Sequence, residues 1–312
     1  MADWLGRIDG LLGELGHSAR DAARVIRSAL RDDPYEMLAY RGYGTATRAI
    51  VAGRALERRN VGATGLEDST LRNLVNTYRR AVVDPLPFAT VSATFGMRAT
   101  SLKADDEGFF GGWVEAPDAP VGGDEWRPYE LELVAPRRTG EAAVAAMGEI
   151  LVPPASARFG VISDIDDTVI QSRVSNFLLA ARTVILGNAR TRLPFPGVAA
   201  FYEALRLGAG GDERNPVFYV SSSPWNIYDV ITEFMDLQHV PRGPLILRDW
   251  DLAMGPRASN RHFDHKGLAI RRILELYPSL PFILIGDTSQ HDPEIYRAIV
   301  AEFPERIRAI YI

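Results

Sequence analysis

The chain has 312 residues, 46% of them hydrophobic and 24% charged, and carries a formal net charge of -5. That length exceeds one typical domain, and the composition is that of a protein with a packed core, so two domains are expected. The acidic balance excludes a global basic field for nucleic acid, the absence of cysteine excludes disulfides and thiolate metal sites, and no apolar run reaches the length of a membrane span. With no small-residue cleavage site after an apolar core near the N-terminus, no secretory signal is expected, and a reducing, cytoplasmic setting fits.

Residues 3–31 read as an N-terminal helical segment. Trp4, Leu5, Ile8, Leu11, Leu12 and Leu15 recur at helical spacing, followed by Ala22, Val25, Ile26 and Leu30. Gly10, Gly13 and Gly16 weaken its middle, so two shorter helices are an alternative. Arg20, Arg24, Arg27 and Arg31 form one basic stripe. Such a stripe serves either as a solvated face or as a surface drawn to anionic lipid, which leaves peripheral membrane contact open.

Residues 34–152 change pattern. Thr47–Leu56, Ala89–Phe95, Arg98–Lys103, Phe109–Glu115, Tyr129–Val134 and Ala142–Leu151 are short, partly alternating segments punctuated by Gly, Pro and Asp. A helix over Ser69–Val83, capped by Asp68 or Ser69, is expected to interrupt them. The reading is a small antiparallel β-sandwich accessory domain, immunoglobulin-like or transthyretin-like, with no catalytic spacing in it. Pro153-Pro154 marks the boundary with the third region, 153–312.

That third region alternates strand and helix. The strands are expected at Phe159–Asp164, Val217–Ser221, Leu245–Leu247, Phe282–Gly286 and Ile307–Ile312. The helices are expected at Gly197–Leu207, Trp225–Leu237, Lys266–Tyr277 and Pro293–Phe303. Continuous apolar strands alternating with helices imply an α/β fold with a parallel, Rossmann-like sheet covered on both faces. Its site is expected outside the carboxyl ends of the strands.

Chemistry-bearing residues fall at those ends. The first strand runs into Asp164, Asp166 and Asp167, three carboxylates that repel one another and are costly to desolvate. An all-oxygen, hard donor set of this kind points to Mg²⁺. The second strand ends in Ser221, Ser222 and Ser223, with Pro224 making Ser223 a candidate helix cap and leaving Ser221, closest to the strand, the better candidate for the site. Lys266 opens the third helix, where a cation opposes the helix dipole. Only it and Lys103 are lysines among 35 basic residues, so it reads as a place where a compact ammonium is needed. The fourth strand ends in Asp287, and Asp292 before Pro293 serves as a cap, as support for the site, or as both. Trp225 and Tyr228, just past Ser221, either line an entrance or pack as core aromatics. His262, His265 and His291 are given no metal role, because imidazole suits Mg²⁺ poorly.

The spacing Asp164-x-Asp166-x-Thr168 resembles the aspartate signature of the haloacid dehalogenase superfamily of phosphotransferases. The stretches FGVISDIDDTV, FYVSSSPWNIY, GPLILRDW, DHKGLAIRRILELYP and FILIGDTSQHDPEIY are similar to the catalytic domain of the actin-patch-associated phosphatidate phosphatase family. The preceding YRGYGT and DDEGFF stretches resemble the β-domain that accompanies it in bacterial members. The chain stops inside the last expected strand at Ile312, where the family pattern would continue, which suggests a trimmed chain.

The resemblance implies Mg²⁺-dependent removal of phosphate from phosphatidate to give diacylglycerol. It implies Asp164 as nucleophile and Asp166 as acid and then base, its acidic neighbours favouring the protonated form first. Ser221 and Lys266 would hold the phosphate oxygens, with Ser222 as a substitute and with Trp225 and Tyr228 beside the substrate. Asp164, Asp166 through its carbonyl, and Asp287 would hold the metal. Thr168 would orient the loop, Asp292 would support the site, and Asp167 has no assigned part. The insertion Val174–Pro196, with its apolar run edged by Arg173, Arg182, Arg190 and Arg192, would cap the site or pack as an ordinary helical hairpin. Two other readings stand beside this one: the same chemistry on a soluble phosphometabolite or phosphoprotein, and a non-catalytic binding protein acting through its β-domain.

Overall fold

Apolar residues at alternate positions place one side of a strand in a core, and part of the first half of the chain follows that rule. Its strands are β1 (Tyr35–Ala39), β2 (Gly42–Gly44), β3 (Arg48–Glu57), β4 (Thr90–Phe95), β5 (Arg98–Lys103), β6 (Phe109–Glu115), β7 (Trp126–Ala135) and β8 (Ala145–Leu151). The computed structural model describes residues 34–57, 84–116, 124–137, 140, 142–165, 197–248, 265–288 and 291–312. The expected helices over 3–31 and Ser69–Val83, and the insertion Val174–Pro196, lie outside these residues.

Strand β4 alternates strictly between half-buried and buried positions, with Val91, Ala93 and Phe95 inside. The eight strands belong to one sheet, ordered β1-β3-β2-β8-β7-β4-β5, with β6 on the other edge of β3. All pairings are antiparallel except the short parallel contact of β2 with β8. The sheet curls until β5 returns beside β6, enclosing a core that includes Val51, Val91, Phe110, Tyr129 and Leu131. The expected sandwich is thus a single curled sheet, because hydrogen bonding runs unbroken from β3 through β2 into β8. Two of its strands, β1 and β2, carry no strand signature: Glu36, Met37, Leu38 and Ala39 favour helix, and Gly42 and Gly44 favour turns. Pairing with β3 overrides both preferences.

The second half follows the expected alternation. It comprises β9 (Gly160–Asp164), α1 (Val198–Leu207), β10 (Val217–Pro224), a 3₁₀ turn (Trp225–Ile227), α2 (Tyr228–Leu237), β11 (Leu245–Arg248), α3 (His265–Leu276), β12 (Phe282–Ile285), α4 (Asp292–Glu302) and β13 (Ile307–Tyr311). All five strands are parallel, in the order β11-β10-β9-β12-β13. Every residue of β9 and of β12 is buried, as befits strands covered on both faces. From β9 the chain moves outward to β10 and β11, then returns to build β12 and β13 on the other side. The order therefore reverses at β9, and the crevice such a reversal leaves lies at the carboxyl ends of β9 and β12.

The two sheets share a core. Tyr40, Tyr43, Phe109 and Leu151 from the first half join Phe218, Trp225, Tyr228 and Tyr277 from the second. Tyr43 meets Phe218 edge-on at 5.7 Å, and the Tyr277 hydroxyl donates to the Gly44 carbonyl at 3.0 Å. Aromatic pairs of this geometry contribute about 0.5–1.5 kcal/mol each beyond their burial.

Candidate active site

Strand register brings the expected residues together. Val220 lies beside Asp164 and Ser163 beside Ile285, so Ser221, Asp164 and the pair Gly286-Asp287 leave neighbouring strands at one level. Helix α3 contributes Lys266 from its first turn and α4 contributes Asp292 from its first residue.

Carboxylate oxygens of Asp164, Asp287 and Asp292 lie within 4.8 Å of one another. The Lys266 ammonium sits between two of them, 2.8 Å from Asp164 Oδ1 and 2.7 Å from Asp292 Oδ1. Asp164 and Asp292 are buried and Lys266 is only 5% exposed, so these charges are screened little by water. Burial alone would lower the lysine, but Asp164 and then Asp292 outweigh it and hold its pKa above the ordinary lysine value. In Asp292 burial pushes the carboxyl up and Lys266 opposes it. Its second oxygen accepts the Asp287 N–H at 3.2 Å. Two donors on two oxygens are what a carboxylate accepts, and they commit Asp292 to holding Lys266 and the Asp287 backbone in place.

Asp292 is therefore not the cap of α4. That position falls to His291, in left-handed conformation at φ 61°, and Asp292 turns inward as the first helical residue. Four residues on, Tyr296 donates its hydroxyl to the Ile285 carbonyl at 2.8 Å, on the same helix face. Between them Gly286 has no room for a side chain: a Cβ there would lie 2.4 Å from Asp292 Oδ2 and 2.8 Å from the Tyr296 hydroxyl.

A second buttress went unread in the sequence. Ser163 donates to the Asp164 carbonyl at 2.7 Å. Its hydroxyl also lies 2.5 Å from that of Tyr202, in α1. Because the single Ser163 proton is spent on Asp164, Tyr202 is the donor in that pair. Neither residue has motif spacing; the one signal for Tyr296 was its helical offset from Asp292.

Ser221 is fully buried within β10, and its oxygen accepts the Ser223 N–H at 3.0 Å. Ser223 is not a helix cap, since the strand runs through it to Pro224 before the 3₁₀ turn begins. Ser222 is half-buried beside them. Trp225 and Tyr228 take the packed place of the two expected for them rather than lining an entrance. Each is 4% exposed, their rings packed against Tyr40 at 5.2 and 3.9 Å. Large apolar rings are better satisfied in that shared core than at an open entrance. Asp166, Asp167, Thr168 and His262 lie outside the described residues.

Residues 159–312 match the family model described as phosphatidate phosphatase APP1, catalytic domain. This segment resembles that family's catalytic domain. It is similar to phosphatidate phosphatase APP1 of Saccharomyces cerevisiae, with 31% identity over 154 residues, covering 49% of this chain and 25% of that protein. An uncharacterized protein of Schizosaccharomyces pombe is 28% identical over 193 residues, covering 59% of this chain and 30% of that one. The chain thus spans between 25% and 30% of the length of these curated relatives. Among solved structures, a carbohydrate acetylesterase from Xanthomonas citri aligns over 89% of this chain and 68% of that one, at 14% identity and a TM-score of 0.28, too low a likeness to carry an argument.

Proposed function

We propose that the chain is a metal-dependent phosphoric monoester hydrolase that takes phosphatidate to diacylglycerol through an aspartyl-phosphate on Asp164. The observation that carries this reading is the buried cluster in which Lys266 bridges Asp164 and Asp292 beside Asp287. The match of residues 159–312 to that family supports the choice of chemistry, and the activity for which the yeast relative is named supports the choice of substrate.

The donor set fits a hard divalent cation such as Mg²⁺, because the converging ligands are all carboxylate oxygens. Asp164 and Asp287 would hold it, together with the carbonyl of Asp166. When bound, it would offset the negative charge of the phosphate and of the carboxylate that approaches it.

A carboxylate oxygen of Asp164 attacks phosphorus, and the bond from phosphorus to the lipid oxygen breaks. Asp166 gives its proton to the leaving alkoxide, which departs as the alcohol. Asp166 then takes a proton from water. The resulting hydroxide attacks phosphorus, inorganic phosphate leaves, and Asp164 is regenerated. Lys266 and Ser221 hold the non-bridging oxygens through both steps, with Ser222 the substitute hydroxyl, and their fixed positions supply the electrostatic stabilisation. Asp292 keeps Lys266 and the Asp287 backbone aimed, and Thr168 orients the loop carrying the acid.

No helix among the described residues is long and apolar enough to cross a membrane. The test is phosphate release from short-chain phosphatidate and from p-nitrophenyl phosphate, with Mg²⁺ or with EDTA. Metal-dependent turnover that is faster on phosphatidate supports the reading. Turnover of the generic ester alone moves the substrate to the soluble class. No release from either removes the hydrolase.

A further inference from the structure

The YRGYG and DDEGFF stretches have no part in the chemistry, yet both converge on the turn that follows the active-site hydroxyls. Trp225 begins that turn two residues after Ser223. Its ring lies 5.2 Å from that of Tyr40, in the first stretch, and 5.4 Å from that of Phe109, in the second. Tyr228 opens α2 with its ring stacked on Tyr40 at 3.9 Å and 28°. Its hydroxyl accepts the Arg41 N–H at 2.8 Å, and the Arg41 guanidinium grips Asp236, two turns further along α2, at 2.8 and 3.0 Å.

Both stretches are fixed from their own side. The Tyr40 carbonyl accepts the Tyr129 hydroxyl at 2.6 Å and the Tyr40 N–H donates to Ala52 at 2.9 Å, within the curled sheet. Asp105 accepts the N–H groups of Glu107 and Phe109, both at 2.9 Å, closing the turn that presents the Phe109 ring. The Arg54 guanidinium then lies 4.4 Å over that ring. The β-domain thus offers a rigid aromatic seat to a short turn whose preceding residues are Ser221, Ser222 and Ser223.

The rest of the site has a different support. Asp164, Lys266 and Asp292 hold one another through ionic contacts within the catalytic half. We propose that the β-domain positions the Ser221 hydroxyl: Tyr40 and Tyr228 are positioning residues that act through Trp225 and the 3₁₀ turn to set where the phosphate oxygens bind. A phosphate contact misplaced by even an ångström lowers turnover by about a hundredfold, so an aromatic seat remote from the chemistry has leverage on it. The inference rests on the phosphomonoester reading above and adds a role for the accessory domain.

The test uses the full chain with Tyr40→Ala, Tyr40→Phe and Tyr228→Phe. Two readouts are taken: steady-state hydrolysis of p-nitrophenyl phosphate in Mg²⁺, and calorimetric binding of inorganic phosphate, which needs no turnover. Tyr40→Ala is expected to weaken phosphate binding about tenfold and to lower kcat/KM by about tenfold to a hundredfold. Tyr40→Phe, which keeps the stack, restores most of both. Tyr228→Phe removes one hydrogen bond and gives a smaller shift in the same direction, and it decides the matter if Tyr40→Ala does not fold. A purely structural role would lower the active fraction with KM and phosphate affinity unchanged; that result overturns the proposal. Wild-type protein that neither binds phosphate nor turns over would overturn the underlying reading, whereas an active wild type with unaffected variants overturns the positioning role alone.

Discussion

The Nζ of Lys266 lies 2.8 Å from Oδ1 of Asp164, in a position where both side chains are out of water. A lysine in the first turn of a helix opposes the helix dipole, so its place in α3 has to be stabilised by what it faces. It faces Asp164 and Asp292, and the pair of carboxylates would repel without it. Replacing Lys266 by Met leaves both uncompensated. The expected loss is about 3–5 kcal/mol of stability, read by urea denaturation. Lys266→Arg does not restore activity, because a planar fork cannot replace a point donor between two carboxylates.

On the metal-dependent reading proposed above, the carboxylate cluster would make the folded chain a better metal ligand than the unfolded one. Mg²⁺ at about a hundredfold excess over its dissociation constant should raise stability by about 2.7 kcal/mol. Asp287→Asn should remove most of that gain while leaving the metal-free protein folded. A thermal melt of each protein, with Mg²⁺ and with EDTA, checks this. Equal shifts in wild type and variant would remove Asp287 from the site.

Gly286 is expected to be intolerant of even one methyl group. An alanine Cβ would stand 2.4 Å from Asp292 Oδ2 and 2.8 Å from the Tyr296 hydroxyl, so α4 or the Asp287 turn has to move. Gly286→Ala should cost about 1–3 kcal/mol and lower kcat by at least about tenfold, as Asp292 loses its hold on Lys266. Wild-type kcat in this variant would show that the approach of Asp292 to the β12 end does not matter to the reaction.

The positions of Asp164, Ser221, Lys266 and Asp287 were legible because each stands at the end of an apolar strand or the start of a helix, and a parallel sheet gathers such ends. The side of the chain that each residue faces was not legible. Asp292 before Pro293 reads on local grounds as a cap or as support for the site, and only its contact with Lys266, 26 residues away, decides between them. Trp225 and Tyr228 come just after the Ser221–Ser223 run, yet their rings answer to Tyr40, more than 180 residues earlier. Strands β1 and β2 were hidden for the same reason: β3 imposes them, and composition argues otherwise. Tyr202 and Ser163 reach the site through a single hydroxyl contact that no periodicity announces.

The most direct test of the central claim is to trap the covalent intermediate. Wild-type protein mixed with a labelled phosphomonoester in Mg²⁺ and quenched in acid within the first turnover should carry label on the peptide containing Asp164, stable in acid and released by hydroxylamine. Asp164→Asn should carry none and should lose turnover by several orders of magnitude, since removing a nucleophile costs on the order of a millionfold in comparable cases. Rapid turnover with no label on the protein, or label on a residue other than Asp164, would contradict the account.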